Sequence, residues 1–333
     1  MKAVKVLKKD TEKVRNKLIQ LEAFDNSHKI TRKDYYVLIP ITKIPKGKFE
    51  IVDAELEKIV VPEKTLEEAI KGKLTDEEFK LLPKSFDTVG DIAIVEMPDE
   101  LEKKEKLIAE TLMKLHKHIK VVAKKASFYE GEFRTRKLKI IAGEKRKETV
   151  HKENNILLRL NAETCYFSPR LSTERKRIID MVRPGETILV MFSGVGPYPI
   201  SISKNTEAKE IIGIEINPDA HRYAEQNIIL NKLKNVKAYQ GDVRKIVPKL
   251  NMKFDRIIMP LPKTAEEFLP TALEASKKGT IIHLYDFSHE EDFPDSTISK
   301  VKMYVKKFKI MGVVRCGQYS PGKFRVCADF AVQ

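Results

Sequence analysis

The chain has 333 residues, enough for two or three domains with their own cores, and its 42% hydrophobic content excludes a wholly disordered polypeptide. No apolar run approaches the roughly 18 residues of a membrane helix. The charged opening Met1-Lys2-Ala3-Val4-Lys5 lacks the apolar centre of a signal peptide, so a soluble cytoplasmic protein with no membrane contact is expected. Lys and Arg number 63 against 48 Asp and Glu, a net charge of +15. Residues 101–150 alone hold 15 basic and 7 acidic side chains. A thermophile's Lys/Glu-rich surface would explain the abundance of charge, but not its concentration in one segment. That concentration suits a polyanion, with counterion release from phosphates supplying affinity. Cys165, Cys316 and Cys327 show no metal-ligand spacing, and their odd number gives no disulfide framework; no metal site is expected.

In chain order, residues 1–62 read as a small α+β domain, with a strand at 2–7, a helix at 10–21 and strands at 35–40 and 49–52. Val60-Val61-Pro62-Glu63-Lys64 reads as a linker, because proline interrupts the pattern and charges follow. Residues 63–165 form a second, basic α+β domain. Its helices are expected at 65–71 and 75–82, a strand at 92–96, a long helix from Pro98 to about Ile119, and strands at 121–126, 137–142 and 155–161. Residues 166–333 alternate strand and helix as a Rossmann-like sheet requires, with strands at 187–191, 210–216, 236–239, 256–259 and 280–285. Two further β-runs, 304–314 and 323–330, are joined by a Gly-Pro-rich turn. The fold class is α/β, a Rossmann-like domain preceded by two smaller α+β domains.

Four loops at strand carboxyl ends carry the chemistry of the last domain. Phe192-Ser193-Gly194-Val195-Gly196 follows the first strand and lets backbone approach a ligand closely. Glu215-Ile216 ends the second, where a carboxylate can accept both hydroxyls of a ribose. Gly241-Asp242-Val243 follows the third, placed for an adenine amino group, and Met259-Pro260-Leu261-Pro262 follows the fourth. A lone Gly-x-Gly is more often an ordinary turn, but four such pieces in order are specific. With two glycines the pyrophosphate fingerprint is incomplete. An adenosine ligand without phosphates, S-adenosylmethionine, fits better than a dinucleotide, and a methyltransferase is expected.

Two further runs stand outside these loops. In Tyr166-Phe167-Ser168-Pro169-Arg170-Leu171-Ser172-Thr173-Glu174-Arg175, Ser172 or Thr173 looks like a helix cap that puts Glu174 and Arg175 in a first helical turn. Gly131-Glu132-Phe133-Arg134-Thr135-Arg136-Lys137 joins arginine to an aromatic residue, which suits phosphate or base contact. Taken alone, each also fits a solvated surface.

Together these runs resemble the archaeal and eukaryotic tRNA (guanine-N1)-methyltransferases acting on position 37, over most of the chain. The resemblance implies that Arg134 stabilises charge on guanine O6, Glu174 takes the N1 proton, Tyr166 packs in the active site and Arg175 contacts the cofactor region. It implies Phe192, Ser193, Gly194, Gly196, Glu215, Ile216, Asp242, Val243 and Pro262 as further cofactor contacts. The partner would be tRNA, held at the anticodon stem-loop and outer corner by a monomer. Two departures from the family pattern are evident: Val190 stands where an acid is usual, and Pro260 replaces the asparagine that opens the fourth-strand motif. Proline lacks both the amide side chain and a backbone donor. A less polar site would admit a bulkier base, and the chain resembles the archaeal variant of this family that also methylates C7 of 4-demethylwyosine, which implies a bifunctional enzyme. A monofunctional guanine-N1 enzyme and a non-catalytic tRNA-binding protein are the alternatives. A 5-methylcytosine enzyme is disfavoured because no cysteine neighbours the fourth-strand motif.

Overall fold

The computed structural model describes residues 1–59, 65–127, 130–261 and 263–333, in two compact units, Met1–Ala69 and Ile70–Gln333. The expected linker, 60–64, lies outside the described residues, as does Pro262.

In the first unit, β1 (Lys2–Leu7), α1 (Thr11–Gln20), β2 (Thr31–Arg32), β3 (Tyr36–Pro40) and β4 (Glu50–Asp53) build an antiparallel sheet in the order β2-β3-β1-β4. Leu18 of α1 is buried against Val4, Val37 and Ile39, which forms a separate core.

The second unit opens with short helices, α2 (Leu66–Ile70, shared with the end of the first unit) and α3 (Asp76–Lys80). Thr75 and Glu78 close a reciprocal capping box on α3. Then come β5 (Asp87–Val89), β6 (Ile92–Val95), α4 (Glu105–Leu115), β7 (Val121–Lys125) and β8 (Leu138–Gly143), with a sheet order β5-β6-β7-β8. The long helix expected from Pro98 is instead a 3-10 segment over Asp99–Lys104 followed by α4. Pro98 offers no side-chain cap, so the opening donors are met by the tighter i→i+3 pattern. A hairpin follows, β9 (Glu148–Glu153) and β10 (Ile156–Asn161), turning through Asn154 and Asn155, both at positive φ. The sequence reading did not find β9, because Glu-Thr-Val-His-Lys-Glu is polar on both faces.

The Rossmann-like sheet comprises β11 (Thr187–Met191), β12 (Glu210–Glu215), β13 (Val236–Gln240), β14 (Phe254–Met259), β15 (Ser276–His289), β16 (Phe308–Ser320) and β17 (Lys323–Val332). Its helices are α5 (Ser172–Met181) before it and α6 (Pro197–Asn205), α7 (Pro218–Leu230), α8 (Val243–Leu250), α9 (Leu269–Glu274) and α10 (Asp295–Tyr304) between strands. The order is β13-β12-β11-β14-β15-β17-β16, with β11 to β15 parallel and β17 inserted antiparallel. Winding reverses between β11 and β14, and ligands of such sheets bind outside the carboxyl ends at that switch. On α5 the expected Ser172 or Thr173 cap is not formed. A 3-10 turn at Pro169–Leu171 runs straight into the helix, and Leu171 holds the cap position.

The expected boundary at residue 165 falls inside the second compact unit. Its apolar cluster runs from Val89 and Ile94 through Leu158 and Cys165 to Tyr223 on α7. Asn227 on α7 and Asn231, which caps its C-terminus one turn later, clamp the free edge of β10. Asn227 accepts from Arg159 N at 2.7 Å and donates to Arg159 O at 2.9 Å and Val195 O at 3.0 Å. Asn231 repeats the pattern on Leu157 at 2.9 and 2.7 Å. These amides do for β10 what a neighbouring strand would. Since Asn227 is fully buried, Asn227→Ala strands three backbone groups and is expected to cost at least about 2 kcal/mol in urea unfolding. An unchanged urea midpoint would refute the clamp.

Candidate active site

Loops at the carboxyl ends of β11 to β14 enclose a cavity of about 150 Å³. Phe192, Gly194, Glu215, Ile216, Asp242, Val243 and Pro260 line it, together with Arg134 and Tyr166 from the two runs upstream. The expected cofactor and substrate residues therefore converge although they are up to 126 positions apart (134 to 260). The sequence reading missed Phe268, Arg244 and Asn217, which also line the cavity. Arg244 and Asn217 directly neighbour predicted residues, whereas nothing local to Phe268 marks it.

Glu215 is the best-defined of these residues. Its Oε2 accepts from Gly194 N at 2.7 Å and its Oε1 from Asn217 N at 2.8 Å, so each oxygen is aimed and retains a lone pair. Burial pushes its carboxyl above the usual range, against the lowering effect of those backbone donors. The loop that supplies Gly194 is tightly wound: Phe192, Gly194 and Gly196 have φ of 59°, 57° and 89°. Gly196 caps α6 at a φ that L side chains rarely adopt, and a Cβ there would also crowd Ile200 Cδ1 at 2.7 Å, so glycine is required by the backbone. Phe192 bears a positive φ without being glycine, a strain of the kind found at functional loops. Its ring meets Phe268 edge-on at 4.9 Å, and Arg244 lies 5.0 Å over Phe268. Asp242 caps α8 by accepting from Arg244 N at 2.8 Å, and hydrogen bonds from Arg244 hold its carboxyl below the usual range.

Four expected residues do not line this cavity. Ser193 is buried beneath the loop, where a Cβ on Gly213 would come within 3.0 Å of its hydroxyl oxygen. Gly196 caps α6. Arg175 is 2% exposed and bound to Glu153 through Nε at 2.5 Å and Nη2 at 2.6 Å, with a further bond to Ser168 O. Burial alone would raise the Glu153 carboxyl, but His151 and Arg175 bring it below its usual range. This pair fastens α5 to β9, the strand missed in sequence. Glu174 accepts from Arg177 at 2.8 Å on both oxygens and from the Tyr285 hydroxyl at 2.5 Å on Oε1. Its neighbour Cys316, within hydrogen-bonding reach, lines an open cleft of about 1110 Å³. Tyr166 lines both the cleft and the cofactor cavity, so the two spaces adjoin at its ring. Arg134, itself at positive φ, lies 5.0 Å over that ring.

Behind Glu174 runs a chain of buried charge. Arg177 reaches Asp329 at 2.5 Å, Asp329 accepts from His283 Nδ1 at 2.6 Å, and His283 Nε2 meets Arg256 at 2.7 Å. Arg256 in turn grips Glu186 at 2.7 and 2.9 Å. Because arginine only donates, His283 must present a bare Nε2 and carry its proton on Nδ1. Burial lowers its pKa, consistent with a neutral ring. His283, Cys327 and Asp329 have potential ligand atoms within 4.8 Å of one another, but the two arginines already occupy the His and Asp acceptors. Burial pushes the Cys165 thiol up to about 11 and those of Cys316 and Cys327 higher still, which makes all three poor nucleophiles.

A seven-stranded sheet with β17 inserted antiparallel, and an aimed carboxylate beside a glycine loop at its switch point, define an S-adenosylmethionine-dependent methyltransferase. The chain belongs to the TRM5/TYW2 methyltransferase family. It matches that domain over 149–313, the TYW2 N-terminal domain over 66–146 and the tRNA methyltransferase 5 N-terminal domain over 3–50. Trm5b of Pyrococcus abyssi, a tRNA (guanine(37)-N(1))-methyltransferase, is 42% identical over 99% of this chain and 98% of its own. Its crystal structure superposes with a TM-score of 0.76 at 40% identity, covering 99% of each chain. A complex of aTrm5 with tRNALeu superposes at 0.74, with 35% identity and 99% coverage of each. Taw22 of Nanoarchaeum equitans, a tRNA (guanine(37)-N(1))/4-demethylwyosine(37)-methyltransferase, is 36% identical over 71% of this chain and 97% of its own.

The cofactor is S-adenosylmethionine, and the donor set suits it: two aimed carboxylate oxygens for a ribose, aromatic and aliphatic walls for adenine, and a strained loop that brings Gly194 N inward. Glu215→Gln is expected to weaken cofactor binding by about tenfold or more in calorimetry. Glutamine removes the cost of a buried charge, but its single acceptor oxygen cannot serve both Gly194 N and Asn217 N, so one buried donor loses its partner and the free protein is expected to lose about 1 kcal/mol or more in urea unfolding. Wild-type cofactor affinity should fall on acidification, beginning above the usual carboxylate range of about 4. Affinity flat down to that range would contradict the role.

Proposed function

We propose that the chain methylates N1 of guanosine at position 37 of tRNA. The observation that carries this reading is Tyr166, which lines both the smaller cavity and the larger cleft, with Arg134 over its ring. A purine turned out of an anticodon loop would pass along the cleft and stop at the cavity mouth. The aTrm5 complex with tRNALeu and the similarity to Trm5b support the same substrate.

Guanine N1 carries a proton at neutral pH, and negative charge develops on O6 as that proton leaves. The Arg134 guanidinium meets that charge, and Glu174 receives the proton. Arg177 Nε donates to Glu174 Oε2 at 2.8 Å, while Oε1 takes both Arg177 Nη2 and the Tyr285 hydroxyl, so Oε2 is the less occupied oxygen for the proton. Tyr198 donates to Tyr285 at 2.8 Å and Tyr285 donates to Glu174, holding the carboxylate in place. S-adenosylmethionine, when bound, supplies the electrophilic methyl group. The chain's residues supply alignment, a proton acceptor and exclusion of water. In this reading residues 1–62 contact the tRNA outer corner, 63–165 hold the anticodon stem, and 166–333 carry out the chemistry.

A second activity, methylation of C7 in 4-demethylwyosine, is favoured by Pro260, which lines the cavity where the family usually has asparagine. The similarity to Taw22 supports it. Purified protein with labelled S-adenosylmethionine should be given tRNA carrying guanosine 37 and, separately, tRNA carrying 4-demethylwyosine there. Nucleoside mass spectrometry should find product from both, and Pro260→Asn should shift the ratio toward guanosine. Product from guanosine alone would leave a monofunctional enzyme; product from neither would sink the proposal. Arg134→Ala should lower kcat by about 10²–10³ and Glu174→Gln by about 10²–10⁴, with cofactor affinity retained.

A further inference from the structure

The parallel register of β15 with β14 ends at Leu284, yet β15 continues to His289, paired there only with β17. With β16 it forms a three-stranded arm reaching past the Rossmann-like sheet. Cys316, Tyr319 and Arg325 of this arm line the open cleft. Tyr319 is 58% exposed and its ring sits 4.3 Å from Phe287. Lys323 and Arg325 lie 5.9 and 5.7 Å over that same Phe287. Aromatic rings interleaved with cations on exposed strands are the surface that single-stranded nucleic acids stack upon.

Arg325 contrasts with two other cations of the cleft. Lys125 is neutralised by Glu96 at 2.8 Å and Arg170 by Asp87 at 2.6 Å. Among the described residues Arg325 has instead a phenol and a ring: its Nη2 donates to the Tyr166 hydroxyl at 3.1 Å, and its Nε is buried without a hydrogen-bond partner there. A buried donor left unpaired is costly unless a ligand satisfies it. Tyr166 thus stands between Arg134 over its face and Arg325 at its hydroxyl, at the junction of cavity and cleft.

We propose that Arg325 and the Phe287–Tyr319 pair form a nucleotide subsite for the anticodon-loop residue adjoining the methylated base, with its phosphate on Arg325 and its base on Tyr319. The subsite rests on the reading of the chain as a position-37 tRNA methyltransferase. It accounts for the arm built out beyond the sheet and for Arg325 having no acidic partner among the described residues.

The test uses the full chain with Arg325→Met, Arg325→Lys and Tyr319→Ala. Steady-state kinetics on tRNA with guanosine 37 should show Arg325→Met raising the tRNA KM about tenfold, with cofactor affinity and melting temperature unchanged. The slope of log affinity against log salt should fall by about one phosphate's worth, and Arg325→Lys should recover most of the loss. Tyr319→Ala should raise KM several-fold on an intact loop and have no effect on a loop made abasic at the adjoining nucleotide. An active wild type whose variants leave KM and salt slope unmoved overturns the subsite. So does a loss shared equally by cofactor affinity, which would indicate a structural role. If wild type fails to methylate guanosine 37, the functional reading falls instead. Anisotropy of a labelled anticodon stem-loop, read on the same variants, would then decide the subsite by itself.

Discussion

The buried chain of charge from Glu174 through Arg177, Asp329, His283 and Arg256 to Glu186 is the interaction on which the placement of Glu174, the proposed proton acceptor, depends. It joins α5 to β17, β15 and β14, and then to the residue that opens β11. Arg256 and His283 are wholly buried, so each requires its partners: losing one leaves an uncompensated charge or polar group in a dry interior. Burial alone would raise the Asp329 carboxyl, yet His283 and Arg177 hold it far below its usual range. The consequence for function is placement. Glu174 is held by groups that are themselves held, so its carboxylate stays behind Cys316 at the cleft.

A second constraint works at the other end of the sheet. Glu215 stays oriented because its two oxygens take N–H groups from separate loops, after β11 and after β12. The backbone conformation that presents Gly194 N is strained at Phe192 and needs glycine at 196, where φ is 89°. Loop geometry and the carboxylate therefore depend on each other. The two departures from the family pattern fit different places in this arrangement. Val190 is buried in an apolar cluster with Tyr198, Ile258 and Tyr285, away from the cavity, whereas Pro260 faces the cavity itself. Of the two, Pro260 is the one positioned to change what the site accepts.

The basic segment and the methyltransferase sheet are not joined as beads on a string. The β9–β10 hairpin follows the basic sheet in sequence, but β10 is fastened to α7 by the Asn227 and Asn231 amides, and β9 holds Arg175 of α5 through Glu153. Arg134 reaches the cofactor cavity because the segment bearing it belongs to the same compact unit as the loops around Glu215.

The sequence by itself determined the strand order along the chain of the Rossmann-like domain, the four loops at its strand ends and the family. These are local matters: apolar periodicity, glycine at forced backbone positions, and residue types demanded at strand ends. The placement of Glu215, Asp242 and Pro260 on one cavity follows from such spacing once the sheet is parallel. Only the tertiary structure decided that Arg175 and Ser193 are packing residues, that Glu174 stands outside the cofactor cavity, and that Phe268, Tyr285 and Arg325 border the site. Each of those outcomes depends on partners far away in the chain: Glu153 for Arg175, Gly213 for Ser193, Tyr285 and Arg177 for Glu174. Burial and pairing over such separations leave no periodic trace in the sequence, since any one of these side chains is compatible with a surface position until its partner arrives.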